Sequence, residues 1–139
     1  MMSCAEFAAK LQAAAREIEV GLVAPTKEAM EMVAEKAKSV LGTDGYGWAP
    51  HAEETVRRWG EHGLGLLTGE TQGTVSSEAA PAGIGAEGVV YANTKQAVFF
   101  EMGTIHQPPR SFLYQSMVRS IAEIGVIYAH FAEKVLGAL

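Results

Sequence analysis

Apolar residues recur with helical spacing at both ends of the chain. Phe7, Leu11, Ala14, Ile18 and Leu22 follow one another at steps of four, three, four and four. That spacing predicts an amphipathic helix from Ser3 to Leu22, with Ser3 as its N-cap. Pro25 interrupts the pattern, and Thr26 to Leu41 resumes it through Met30, Val33, Ala37 and Val40 before Gly42 stops it. One helix kinked at the proline and two separate helices both fit this pattern. At the other end Leu113, Met117, Ile121, Ile124, Tyr128, Phe131, Val135 and Leu139 step by four, four, three, four, three, four and four. They predict one closing helix of about 25 residues, ~38 Å long at ~1.5 Å per residue.

The middle of the chain has shorter patterns. Thr43 to Gly63 is irregular, with glycines at 45, 47, 60 and 63 and a proline at 50, although Glu53 to Trp59 can form a short helix. Leu66-Leu67-Thr68-Gly69 reads as a turn. Two extended runs follow, Thr74 to Ala79 and Gly88 to Ala92, joined by a loop rich in Gly, Pro and Ala. Thr94 can cap a short helix through Ala97, Val98, Phe99, Phe100 and Met102, ended by Gly103; a strand is the alternative there. The order predicts an α+β fold. It has a long N-terminal helix, a small antiparallel β-sheet and a long C-terminal helix packed on the sheet, in a single domain spanning 1–139.

Between the last two helical patterns lies Phe99-Phe100-Glu101-Met102-Gly103-Thr104-Ile105-His106-Gln107-Pro108-Pro109-Arg110-Ser111-Phe112. Two prolines stiffen a short loop here, and an arginine and an aromatic open the closing helix. The segment specifies a rigid corner rather than a catalytic set. Two adjacent aromatics cannot easily enter the same core, so one of Phe99 and Phe100 is expected to face a partner. Glu101 is expected to fasten the corner through an ion pair or hydrogen bonds, and Phe112 to pack inward. His106 is the one histidine placed to meet a neighbour.

Composition narrows the function. The 139 residues include 16 acidic and 11 basic ones, for a net charge of −5. No basic cluster is present, which argues against a dedicated binder of nucleic acid or anionic membrane. Cys4 is the only cysteine, so no internal disulfide is possible and a reducing compartment fits. The opening residues, Met1 to Glu6, do not predict a signal peptide, and no run of apolar residues is long enough to span a membrane.

Candidate chemistry is sparse. His51, His62, His106 and His130 have no i,i+4 pairing and no zinc-site carboxylate pattern, so no metal and no cofactor is expected. Asp44, the only aspartate, sits in a turn. Glu53 and Glu54 are adjacent and point apart on a helix. Gly83-Ile84-Gly85-Ala86-Glu87-Gly88 has G-x-G-x-x-G spacing, but a β-like run follows it rather than a helix, so a hairpin tip explains it better than a phosphate loop. No catalytic constellation is visible in the sequence, and the chain is not expected to be an enzyme.

Several pieces occur in a telling order: Ala34-Glu35-Lys36-Ala37-Lys38, Trp48 through Thr55, Leu67-Thr68-Gly69-Glu70, Glu101-Met102-Gly103-Thr104, and Pro108-Pro109-Arg110-Ser111-Phe112-Leu113. Together they resemble the small neck or tail-completion (head–tail joining) proteins of long-tailed phages. The chain departs from that pattern after Glu70, where Thr71-Gln72-Gly73-Thr74-Val75 replaces a Leu-Arg step. The resemblance implies a non-enzymatic virion protein, assembled in the host cytoplasm and built into a ring of six copies at the neck. It also implies partners: further copies of itself, the head connector or stopper proteins, and the tail tube or tail terminator protein, with DNA only passing through the lumen. An acidic ring suits that passage, because it repels phosphate rather than gripping it. Two other readings stay open, a tail terminator capping the tube and a small cytosolic ligand-binding domain or enzyme.

Overall fold

Ser3 starts the first helix, α1 (Cys4–Gly21), through a reciprocal cap. Its hydroxyl accepts from the Glu6 N–H at 3.2 Å, and the Glu6 carboxylate accepts from the Ser3 N–H at 2.6 Å. The question left open at Pro25 resolves as two helices, α1 and α2 (Val23–Val40), joined through Leu22. Pro25 lacks the N–H that would bond the Gly21 carbonyl, so the ladder of α1 ends there, and the proline sits harmlessly in the first turn of α2. The computed structural model describes residues 1–43, 45–59, 63 and 69–138. Asp44, His62, the Leu66-Leu67-Thr68 part of the expected turn and Leu139 lie outside the described residues.

Helix α2 is the centre of the molecule. It buries Pro25, Thr26, Ala29, Met30, Val33, Ala34, Ala37 and Val40, and Gly42 at φ +89° turns the chain just past its end. The short helix α3 (Glu53–Trp59) falls where the sequence puts it. A five-residue helix, α4 (Glu70–Thr74), was not expected. Strands β1 (Ser76–Ala82) and β2 (Gly85–Tyr91) pair antiparallel from Ser76↔Tyr91 to Ala82↔Gly85. The expected long loop is therefore only Gly83-Ile84. The strands continue through small residues that carry no β-branched signal, and Gly83 at φ +56° closes the tight turn. The G-x-G-x-x-G run thus forms the hairpin tip and β2.

One face of the hairpin, with Ser77, Ala79, Gly88 and Val90, turns inward and lies on α2. A Cβ on Gly88 would stand 2.4 Å from Met30 Cγ and 2.8 Å from Thr26 Cγ2, so the strand lies against the helix because position 88 has no side chain.

After α5 (Lys95–Met102) the closing segment differs from the sequence reading in two ways. It is two helices, α6 (Leu113–Arg119) and α7 (Ile121–Leu136), broken at the buried Ser120. The Ser120 hydroxyl donates to the Ser116 carbonyl at 2.7 Å, a local bond that competes with the helical ladder. The one-residue break leaves the apolar spacing in phase, so periodicity could not reveal it. The expected packing of the C-terminal helix on the sheet is also corrected: α2 carries the sheet, and α6 and α7 pack against α2. Thr26 Oγ1 and the Tyr128 hydroxyl are 2.6 Å apart, Lys36 Nζ meets Glu123 at 3.0 Å, and Phe131 lies over Gly21. The class is α+β, with long terminal helices and a two-stranded antiparallel sheet. Among the described residues no helix is long and apolar enough to cross a membrane.

Candidate functional site

The corner is built around a row of aromatic rings. Tyr46, Trp48, Phe100 and Phe112 stand edge to face, with centroid separations of 5.9, 5.4 and 6.1 Å along the row. Phe112 is fully buried and Phe100 nearly so, and both join Ala34, Ala37, Val40, Leu41, Val75 and Ala97 in the core at the end of α2. Two arginines flank the row: Arg110 lies 5.7 Å from the Phe100 centroid and Arg119 4.4 Å from that of Tyr46. The Tyr46 hydroxyl and Ser116 Oγ are 2.7 Å apart, which ties this loop to α6.

Among the described residues, Arg110 is a buried cation that binds carbonyls rather than a carboxylate. Its Nε donates to the Ala49 carbonyl at 2.8 Å, its Nη2 to the Pro50 carbonyl at 2.9 Å, and its backbone N–H to the Phe100 carbonyl at 2.7 Å. Burial pushes the guanidinium below its usual range, but the two carbonyl bonds and the ring face compensate the desolvation. Arg110 therefore clamps the Trp48–Pro50 loop onto the corner.

Glu101 acts elsewhere. Its carboxylate accepts from the Ser111 hydroxyl at 2.6 Å and from the backbone N–H groups of Phe112, Leu113 and Tyr114 at 2.8, 2.9 and 2.9 Å. Those N–H groups are the unpaired donors that begin α6, whose own N-cap residue, Phe112, has no capping side chain. A glutamate more than ten positions upstream supplies the missing cap. Of the two fastenings expected for Glu101, the hydrogen-bonded one is present.

The loop between is fixed by its backbone. Gly103 has φ +76°, and a Cβ there would stand 2.8 Å from the Pro109 nitrogen and 3.0 Å from the Gln107 carbonyl oxygen, so only glycine fits. Thr104 and Gln107 exchange backbone bonds at 2.8 and 3.2 Å, and Thr104 Oγ1 accepts from the His106 N–H at 3.2 Å. Pro108 and Pro109 are exposed and carry the chain from this turn to Arg110.

What this scaffold presents to solvent is an apolar ridge. The adjacent phenylalanines divide as their spacing requires: Phe100 is 7% exposed and Phe99 50%. Lys95, Val98, Phe99 and Met102 occupy i, i+3, i+4 and i+7 of α5, all on the outward side. Met102 is 74% exposed and Ile105, at the turn, 95%. His106 is exposed beside it. Sequence reasoning named Phe99 and His106 but missed Lys95, Val98 and Ile105 as part of one surface. The i+3/i+4 spacing beside the Thr94 cap was the available signal, because Thr94 does cap α5 through the Ala97 N–H at 3.1 Å.

A groove of about 490 Å³ lies beside α2, lined by Glu35, Lys38, Ser39, Gly69, Gln72 and Gly73. Its polar groups bond one another: Lys38 Nζ meets Glu35 at 3.0 Å, and Gln72 Nε2 donates to the Lys38 carbonyl at 2.9 Å. Among the described residues no group of three or more His, Cys, Asp or Glu side chains is placed to hold a metal ion. No protein-family model, curated protein or solved structure matches this chain.

Proposed function

We propose that this chain is a structural protein of the phage neck, joining the head connector to the tail tube as one subunit of a ring. The observation that carries the reading is the apolar ridge of Val98, Phe99, Met102 and Ile105, held on a corner fixed by Gly103, the Glu101 cap and the Arg110 clamp. Exposed apolar side chains on a rigid base are what a protein–protein contact requires, because little conformational entropy is lost on docking. The ordered motifs of the sequence point the same way. A subunit acting by contact has no need to grip DNA, and a net charge of −5 makes duplex binding unfavourable.

Electron microscopy of lysates lacking the protein tests this. The expected products are complete heads and complete tails that fail to join, or heads that lose their DNA. Normal infectious particles would sink the proposal, and tails of uncontrolled length beside normal heads would transfer it to a tail terminator. Fluorescence anisotropy supplies a second check: duplex DNA should show no measurable binding at physiological salt, and sub-micromolar affinity would count against a role by contact alone.

A further inference from the structure

A ring needs two unlike surfaces that fit each other. Besides the ridge, the outer face of the hairpin carries exposed apolar side chains together with charge. Directly opposed residues share a face of an antiparallel pair, so Ser76 with Tyr91, Glu78 with Val89, and Ala80 with Glu87 form one surface, and all six are exposed. Ile84 extends it at the tip, 77% exposed.

The two surfaces differ in charge. From Thr71 to Thr94 there are two carboxylates, Glu78 and Glu87, and no lysine, arginine or histidine. From Thr94 to Ser120 the only acidic residue is Glu101, whose carboxylate caps α6, while Lys95 and His106 stand exposed at the ridge. Their positions also differ. Gly85, at the hairpin tip, lies beside Leu22 at the start of α2, whereas Ala97 and Phe100, on the buried side of the helix that carries the ridge, pack with Val40 and Leu41 at its far end. A contact between ridge and hairpin tip must therefore join two copies, head to tail. The sizes are compatible: a seven-residue strand is ~23 Å long at ~3.3 Å per residue, and the eight-residue α5 is ~12 Å at ~1.5 Å per residue, so the part of the ridge from Lys95 to Met102 fits within the length of the hairpin face.

We infer that the ridge of Lys95, Val98, Phe99, Met102 and Ile105 docks on the outer face of the hairpin of a second copy, around Ile84, Glu87 and Val89. This rests on the ring reading above and specifies its subunit contact. Apolar side chains supply the affinity, and Lys95 opposite the hairpin carboxylates sets orientation, since like charges brought together there oppose docking.

Charge reversal tests the pairing. Sedimentation velocity should show the wild-type chain self-associating. Lys95→Glu alone, and Glu78→Lys with Glu87→Lys, should each weaken that association at least tenfold while circular dichroism stays native. Combining all three substitutions in one chain should restore it, because every head-to-tail contact then carries the swapped pair. In a Cys4→Ser background, Val89→Cys with Met102→Cys should give a ladder of intermolecular products with a short bismaleimide. Self-association untouched by every reversal, with no ladder, would overturn this contact and leave the neck assignment to the lysate experiment. A wild-type chain that stays monomeric at millimolar concentration would overturn it too. A restored association in a protein dispensable for infectious particles would leave the contact standing and remove the neck role.

Discussion

Helices α1 and α2 have the same length, 18 residues, and nearly the same apolar rhythm, yet they meet opposite fates. In α2 the stripe of Met30, Val33, Ala37 and Val40 is buried between the hairpin and the closing helices. In α1 only Ala14 is buried, and Phe7 and Leu11 are 46% and 42% exposed. The difference is one of neighbours. Helix α7 reaches α1 at Gly21, where Phe131 lies on the missing side chain, and ends at Leu136; every residue of α1 before Ala14 is exposed. A helical period says that a face is apolar and says nothing about what will cover it.

The comparison breaks hardest at the end of α2. Phe112→Ala empties a fully buried site against Ala37, Val40 and Leu41 and should cost about 3–5 kcal/mol, read as a shifted denaturant midpoint. An unchanged midpoint would mean that α2 does not depend on that packing. Gly88→Ala should cost about 1–3 kcal/mol, because the new methyl overlaps Met30 and Thr26 and forces the hairpin off the helix. Tyr128→Phe should cost about 1 kcal/mol by leaving the buried Thr26 hydroxyl without this partner. In α1, Phe7→Ser with Leu11→Ser should move monomer stability by no more than about 0.5 kcal/mol, since neither side chain is buried. A loss as large as that of Phe112→Ala would show the stripe to be covered in solution.

How far the sequence was legible follows from the range of each signal. Ser3, Thr94 and Gly103 act within a few residues of themselves, and their caps and stop fall where the pattern puts them. Burial of Phe112 and the division of Phe99 from Phe100 were likewise readable, because adjacent helical positions must point apart. Three features were not. The break at Ser120 keeps the apolar phase. The tip halves of the strands, Ala80 to Ala82 and Gly85 to Glu87, hold no β-branched or aromatic residue and so have no β signal of their own. The Arg110 clamp reaches carbonyls some 60 positions away, and a carbonyl leaves no mark in the choice of side chain. The candidate ridge was half visible: its one aromatic, Phe99, stood out, while Lys95, Val98 and Ile105 joined it only once α5 and the turn were placed.

The smallest expected effect belongs to the cap of α1, and it tests whether this helix stands alone. Bonds from the Ser3 backbone N–H and hydroxyl hold the Glu6 carboxyl below its usual range. A carboxyl lowered in the folded state favours folding while ionised, so its contribution is present above the usual glutamate value and is lost as pH falls through the lowered one. Because α1 before Ala14 has no buried residue, that loss should appear as fraying of its first turns rather than as global unfolding. Helical ellipticity at 222 nm should decline slightly on acidification from about pH 6 to pH 3, while near-ultraviolet signals from the aromatic row stay constant. Glu6→Gln should remove that step, because a neutral amide caps equally at both pH values. If the two signals fall together in the wild-type chain, α1 is coupled to the core and its bare stripe is not what separates it from α2.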